Sequence, residues 1–205
     1  MTGFAPVWPL RRRSLPALAL SGPRVTLTPP CLVDWREWRA VRGRNRDYLK
    51  PFEPAWPDSC LTRGFFARRL KRQREDWTLN LARYFLIRRN DTGVLIGGVN
   101  INHLCFGAAR HGDLGYWLDE AHQGHGYMAE AIYCVLRYGF DELGLMRMQA
   151  ACIPENDRSM RLLRRLGFAE EGFARSYIQI DGAWRDHHLF ALTRAEYLRM
   201  TGVGR

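Results

Sequence analysis

The chain has 205 residues, 46% of them hydrophobic and 25% charged, which is ordinary for a soluble globular protein and enough for one domain with a sizeable core. No apolar run approaches the length needed to cross a bilayer, and five scattered cysteines without a Cys-x-x-Cys pair favour reduced, mostly buried thiols over a disulfide framework. The net charge of +10 is uneven: residues 1–90 hold 19 Lys and Arg against 7 Asp and Glu, so the basic excess lies in the first half.

The N-terminal "RRRSLPALALSGP" imitates a secretory signal, but Pro16 interrupts its short apolar run. Residues 1–22 are therefore expected to form a flexible arm ahead of a domain spanning 23–200, in a cytoplasmic protein with reduced thiols. "RVTLTP" alternates and ends at two prolines, which predicts a strand. "DWREWRAVRGRNRDYL" repeats its apolar residues at helical spacing, "KPFEPAWPDSC" is denied a helix by its prolines, and "TRGFFARRLKRQRED" reads as a second helix. "YFLIRRNDTGVLIGGVNI" folds around a turn as an antiparallel hairpin, and "DLGYWL" is a further strand.

From Gly126 to Leu143, the residues Met128, Ile132, Val135, Leu136 and Phe140 mark an amphipathic helix stopped at Gly144. "LMRMQAACI" is a strand, and "NDRSMRLLRRL" a helix capped by Asn156 or Asp157. "ARSYIQI" and "AWRDHHLFAL" flank Asp181-Gly182, a two-residue hairpin signal. Thr193 and Glu196 are spaced as a capping box for a last helix. This order predicts a single α/β domain with a mixed sheet.

The stretch "DEAHQGHGYMAEAI", residues 119–132, holds the densest candidate chemistry. His122 and His125 lack the further convergent ligands that zinc needs, and the neighbours His187 and His188 point to opposite faces of a strand, so no metal is expected. Gly124-x-Gly126-x-x-Ala129 fits a relaxed dinucleotide pattern, but Asp119 to Gln123 separate it from its strand. None of the five serines sits in a Gly-x-Ser-x-Gly elbow. What remains is an anion cradle: a helix start with unpaired N–H groups, approached through glycines.

"QGHGYM" resembles the Gln/Arg-x-x-Gly-x-Gly/Ala loop of the GNAT superfamily of N-acetyltransferases, with Gln123 and Gly126 matching and Met128 departing from the usual small residue. "LGYWLDEAHQGHGYMAEAI" and "PENDRSMRLLRRLGFAEEG" are similar to the paired segments of the RimJ/RimL-type ribosomal-protein acetyltransferases. "NRDYLKPFEPAWP" and "IDGAWRDHHLFALT" look like the RimJ side of that group, so the resemblance runs from about Arg24 to Thr193.

The resemblance implies a mostly antiparallel, twisted mixed sheet with flanking helices, splayed between strands 114–118 and 146–152. It implies acetyl-CoA as donor, its pyrophosphate on Gln123, Gly124, His125, Gly126, Tyr127 and Met128, and its pantetheine along Trp117 and Leu118. Asn156 would hold the pantetheine arm and Ser159 would sit near the thiol as its proton donor. Asp113 and Tyr177 are the candidates for handling the amine's proton, with the base left open. The implied acceptor is a protein α-amine on Ala or Ser, attacking the thioester directly. The alternatives are a small amine acceptor, or an RNA- or ribosome-associated module with a degenerate donor site. The basic first half reads as solvated helix faces, with ribosomal RNA as the sharper alternative.

Overall fold

The computed structural model describes residues 18–202. Its sheet has the order β1-β2-β3-β4-β5-β6-β8-β7. The strands are β1 (Leu20–Ser21), β2 (Val25–Thr28), β3 (Arg83–Arg89), β4 (Leu95–Cys105), β5 (His111–Leu118), β6 (Arg147–Cys152), β7 (Ala169–Ile180) and β8 (Ala183–Thr193). Helices α1 (Trp35–Arg44), α2 (Arg46–Leu49) and α3 (Arg63–Thr78) follow β2; α4 (Tyr127–Arg137) follows β5, α5 (Asp157–Arg165) follows β6, and α6 (Arg194–Thr201) ends the described chain. Every neighbouring pair of strands is antiparallel except β5 and β6.

Alternation along the strands, reset near Leu95 by an irregularity in the β3–β4 register, sorts side chains onto two faces. On one face Phe85 and Ile87 join Val99, Ile101, Ile132, Val135 and Leu163 in the larger core, beneath α4, α5 and α6. On the other, Leu86 and Leu95 pack with Trp38 and Val41 of α1 and Phe66 and Leu70 of α3. The helices thus cover the sheet on both sides, which explains the apolar runs of β3 and β4.

Local signals account for the joints. Asp181 and Gly182 both have positive φ, 45° and 83°, as a two-residue turn between β7 and β8 requires. The capping box of Thr193 and Glu196 forms at the start of α6. The α4 helix runs on through a π-turn, Tyr138–Glu142, towards Gly144 at φ 65°.

Of the expected arm, residues 1–17 lie outside the described residues. Leu20 and Ser21 pair with Leu27 and Thr26, and Leu20 is buried, so the sheet begins before residue 23. A strand of two residues has no alternation to betray it. β7 also starts earlier than "ARSYIQI", because Ala169 and Glu170 already pair with Ala191 and Phe190.

The functional geometry follows from one interruption. β5 and β6 are paired at His111 with Arg147, Gly112 with Met148, and Asp113 with Gln149. Beyond that, β5 stays with β4 as far as Leu118 opposite Gly97, while β6 stays with β8 as far as Cys152 opposite His188. The two parallel strands therefore part, opening the sheet between Leu114–Leu118 and Ala150–Cys152.

Candidate active site

The opening widens into a cleft of about 900 Å³ bordered by Tyr116–Leu118 of β5, the Gln123–Ala129 loop and helix start, and the Asn156–Arg165 face of α5. Tyr48 and Phe52 close it from the α2 side. Trp117, Leu118, Gln123, Gly124, Gly126, Tyr127, Met128, Asn156 and Ser159, all expected from sequence, line this one cleft.

The loop into α4 is built by its two glycines. Gly124 and Gly126 have φ of 76° and 80°, a region costly for residues with a Cβ. Gly126 is the N-cap and offers no side-chain acceptor, so the first N–H groups of α4 face the cleft without a side-chain cap. That end of the helix carries partial positive charge and suits an anion. Met128, which departs from the usual small residue, is buried in the larger core while also bordering the cleft.

Arg24 and Glu130 hold this loop to β2. The Glu130 carboxylate accepts from the backbone N–H of Val25 at 3.0 Å and from Arg24 Nε at 2.9 Å. Arg24 Nη1 donates to the carbonyl of His125 at 2.9 Å. Glu130 is therefore a strut. The His125 ring stacks on Tyr127, and its Nδ1 lies 2.9 Å from the Gln123 carbonyl, which orders the loop from within.

Asp119 anchors the front of the loop. It is 1% exposed and accepts from Arg44, from Asn45 Nδ2 at 2.7 Å, and from His122 Nδ1 at 2.9 Å. Burial opposes its charge, but the bonds from Arg44, Asn45 and His122 win and draw its carboxyl down to about 2. His122, set aside as a metal ligand in sequence, is thus a donor to a buried carboxylate.

At the start of α5, Asn156 Oδ1 accepts from the Ser159 N–H at 3.1 Å, the expected cap. The Ser159 hydroxyl lies 2.5 Å from the Tyr116 hydroxyl and 3.0 Å from Cys152 Sγ. Sequence patterns did not single out Tyr116, since an inward tyrosine on a strand looks like core. The arginines of α5 were also missed: Arg158, Arg161 and Arg165 recur at i, i+3 and i+7, and with Arg164 they line the cleft. Arg158 donates to the Gln123 side chain, joining this basic face to the loop.

Two expected residues stand apart. Asp113 lies at the closed end of the opening, accepting from Gln149 Nε2 at 3.1 Å and lying 2.8 Å from His103 Nδ1. Four residues at about 3.3 Å each put it roughly 13 Å along β5 from Trp117. Tyr177, on β7, is half exposed and meets His187 edge-on at 5.7 Å. His187 is buried, which pushes its pKa down, while His188 turns to the other face and meets Glu170 at 2.7 Å.

On the face opposite α4, Trp117 lies over Gly98, where a Cβ would come within 2.6 Å of its indole nitrogen. The Arg42 guanidinium stacks between Trp117 and Trp56, 4.9 and 4.1 Å from their ring centroids, and pairs with Glu53 through both nitrogens. Trp56 Nε1 donates to the same carboxylate at 2.9 Å, and the Glu53 carbonyl accepts from Asp181 N–H at 2.9 Å. The 50–57 loop is thereby tied both to β5 and to the β7–β8 hairpin.

A strand pair that parts beside a glycine-built helix start is the arrangement expected of the superfamily that the sequence resembles. Residues 24–169 match the model of the acetyltransferase (GNAT) domain. The chain belongs to the GNAT acetyltransferase family. It is 38% identical over 183 residues to the [ribosomal protein uS5]-alanine N-acetyltransferase of Escherichia coli, covering 85% of this chain and 94% of that protein. Its fold is similar to that of the ribosomal-protein-S5-alanine acetyltransferase of Vibrio fischeri, with a TM-score of 0.80, 30% identity, and coverage of 86% of this chain and 97% of that one. RimJ of Mycobacterium smegmatis, solved in complex with CoA-disulfide, matches with a TM-score of 0.79 and 28% identity over 87% of this chain and 89% of that one. This GNAT enzyme is an N-acetyltransferase with acetyl-CoA as its co-substrate. Among the described residues no helix is long and apolar enough to cross a membrane.

Proposed function

We propose that this acetyltransferase acts in the cytoplasm on the N-terminal α-amine of a ribosomal protein, on Ala or Ser. The observation that carries this reading is the near full-length relation to the uS5-alanine enzyme, 38% identical and 94% covered. The backbone from Gly124 to Met128 binds the donor pyrophosphate, with Gln123, His125 and Tyr127 shaping the loop. Peptide groups of Trp117 and Leu118, left free where β5 parts from β6, pair with the pantetheine. Asn156 steadies that arm, and Ser159 protonates the departing sulfur.

The amine attacks the thioester carbonyl, the C–N bond forms, and the C–S bond breaks with its electron pair going to sulfur. An α-amine titrates near 8, over two units below lysine, so a useful fraction is neutral near pH 7 without a strong base. The amine's proton therefore passes to solvent, and neither Asp113 nor Tyr177 is required to take it. Glu53, in the loop over Trp117, is already committed to Arg42 and Trp56, and among the described residues no Asp or Glu lines the cleft, which disfavours a polycationic small acceptor.

Exposed basic residues on α3, including Arg63, Arg68, Lys71, Arg72 and Arg74, give the enzyme an anion-attracting surface that we assign to ribosomal RNA during assembly. The test is acetylation by the purified enzyme of three acceptors: a peptide beginning with Ala, the same peptide blocked at its N-terminus but carrying lysine, and spermidine. Only the first is expected to be modified; preferential turnover of spermidine would transfer the function to small amines.

A further inference from the structure

The hydroxyl groups of Tyr116 and Ser159 lie 2.5 Å apart, one from the inner face of β5 and the other from the first turn of α5. We propose that Tyr116 is a positioning residue that aims the Ser159 proton at the sulfur leaving the acetyl donor. The proposal rests on the assignment of Ser159 as proton donor and adds what orients it.

A serine hydroxyl has one proton and rotates freely unless a partner fixes it. At 2.5 Å one of the two groups must donate, and a phenol is the stronger donor. With Tyr116 donating to Ser159 Oγ, the serine proton is turned away from the ring. Its other protein neighbour is Cys152 Sγ, 3.0 Å away, and where that thiol donates to the hydroxyl the serine proton is left to turn into the cleft that Ser159 lines. Backbone freedom is removed as well, because the Ser159 N–H is held by Asn156 Oδ1. Both Tyr116 and Ser159 line the cleft that leads to the donor cradle.

Burial, with Cys152 adding to it, pushes the Tyr116 phenol well above its ordinary value, so it remains a donor throughout the physiological range. Burial also raises the Cys152 thiol, which stays neutral and does not compete as a thiolate. Cys152 on β6 is the titratable group facing the phenol, with Arg164 of α5 beyond it. In the reaction, sulfur takes the Ser159 proton as the C–S bond breaks. Ser159 is then reprotonated through water by the proton the amine has released. Tyr116 begins and ends as a phenol.

The test is a double-mutant cycle on the full-length enzyme with Y116F, S159A and the pair, measured with an Ala-initiated peptide. Y116F is expected to lower kcat about tenfold and S159A about a hundredfold, with the KM for acetyl-CoA within about twofold for Y116F. The double variant is expected to be no slower than S159A, because without the serine there is nothing to aim. Losses that multiply in the double variant overturn the proposal while leaving Ser159 as donor. An S159A enzyme at full kcat overturns both assignments. Should Y116F fail to fold, 3,5-difluorotyrosine at position 116 preserves the ring and ionises at lower pH. The alkaline fall of kcat should then move to lower pH, and an unmoved alkaline limb overturns the proposal.

Discussion

Asn45 and Asp119 form a two-way clasp between the end of α1 and the loop that leads into α4. The Asn45 amide donates to the Asp119 carboxylate at 2.7 Å, and its oxygen accepts from the neighbouring Glu120 N–H at 2.8 Å. Both side chains are buried. Asp119→Ala leaves Arg44, Asn45 and His122 without their shared acceptor and should cost about 3 kcal/mol of stability. Since the loop loses its front anchor, the KM for acetyl-CoA should rise several-fold more than the acceptor's. Urea unfolding and paired KM measurements check this; a stability loss with no selective change in donor KM would mean the clasp does not shape the cradle.

The same carboxylate sets an acid limit. Its folded value of about 2 lies below the ordinary carboxylate range, near 3.9. Its contribution is therefore complete above about pH 5 and is lost as pH falls through the folded value, a total of roughly 2 to 3 kcal/mol. Unfolding free energy measured from pH 6 to pH 2.5 should fall along this course, and Asp119→Asn should flatten it. An identical slope in the variant would assign the acid sensitivity elsewhere.

At Gly126 two effects coincide. Its φ of 80° disfavours any side chain by about 1–2 kcal/mol, and a Cβ would sit 3.3 Å from Arg24 Nη2. Gly126→Ala should weaken acetyl-CoA binding moderately, while Gly126→Glu should abolish it by adding bulk and negative charge where the pyrophosphate is assigned. Titration calorimetry distinguishes them, and retained affinity in the Glu variant would show that the pyrophosphate lies elsewhere.

Asp113 offers a contrasting case. It is held by His103 and Gln149 at the closed end of the opening, away from Trp117. Asp113→Asn should leave kcat within about threefold and preserve the shape of its pH profile. A loss of a hundredfold, with the acidic limb of the profile erased, would make Asp113 the base after all.

Much of the fold was legible because its signals are local. Asn156 and Thr193 announce helices through caps, Asp181-Gly182 announces a turn, and the apolar spacing from Met128 to Phe140 announces α4. The cleft's glycine-built border was legible for the same reason, since Gln123 to Met128 are one continuous segment. The Tyr116–Ser159 contact was not: it joins residues 43 apart in sequence, and only the parting of β5 from β6 brings them together. The position of Asp113 was hidden in a different way. It shares a strand with Trp117, but sequence does not tell where along that strand the pairing with β6 stops. The tie between Glu53 and Arg42 was likewise hidden, because a Pro-rich loop gives no sign of what it closes on.

Mass spectrometry of protein N-termini from cells with and without this enzyme tests most directly whether it acetylates protein α-amines. The N-terminal Ala or Ser of one or a few ribosomal proteins is expected to be acetylated only when the enzyme is present, and Ser159→Ala is expected largely to abolish the modification. An unchanged set of N-termini, with acetylation lost instead from a small amine, would contradict it.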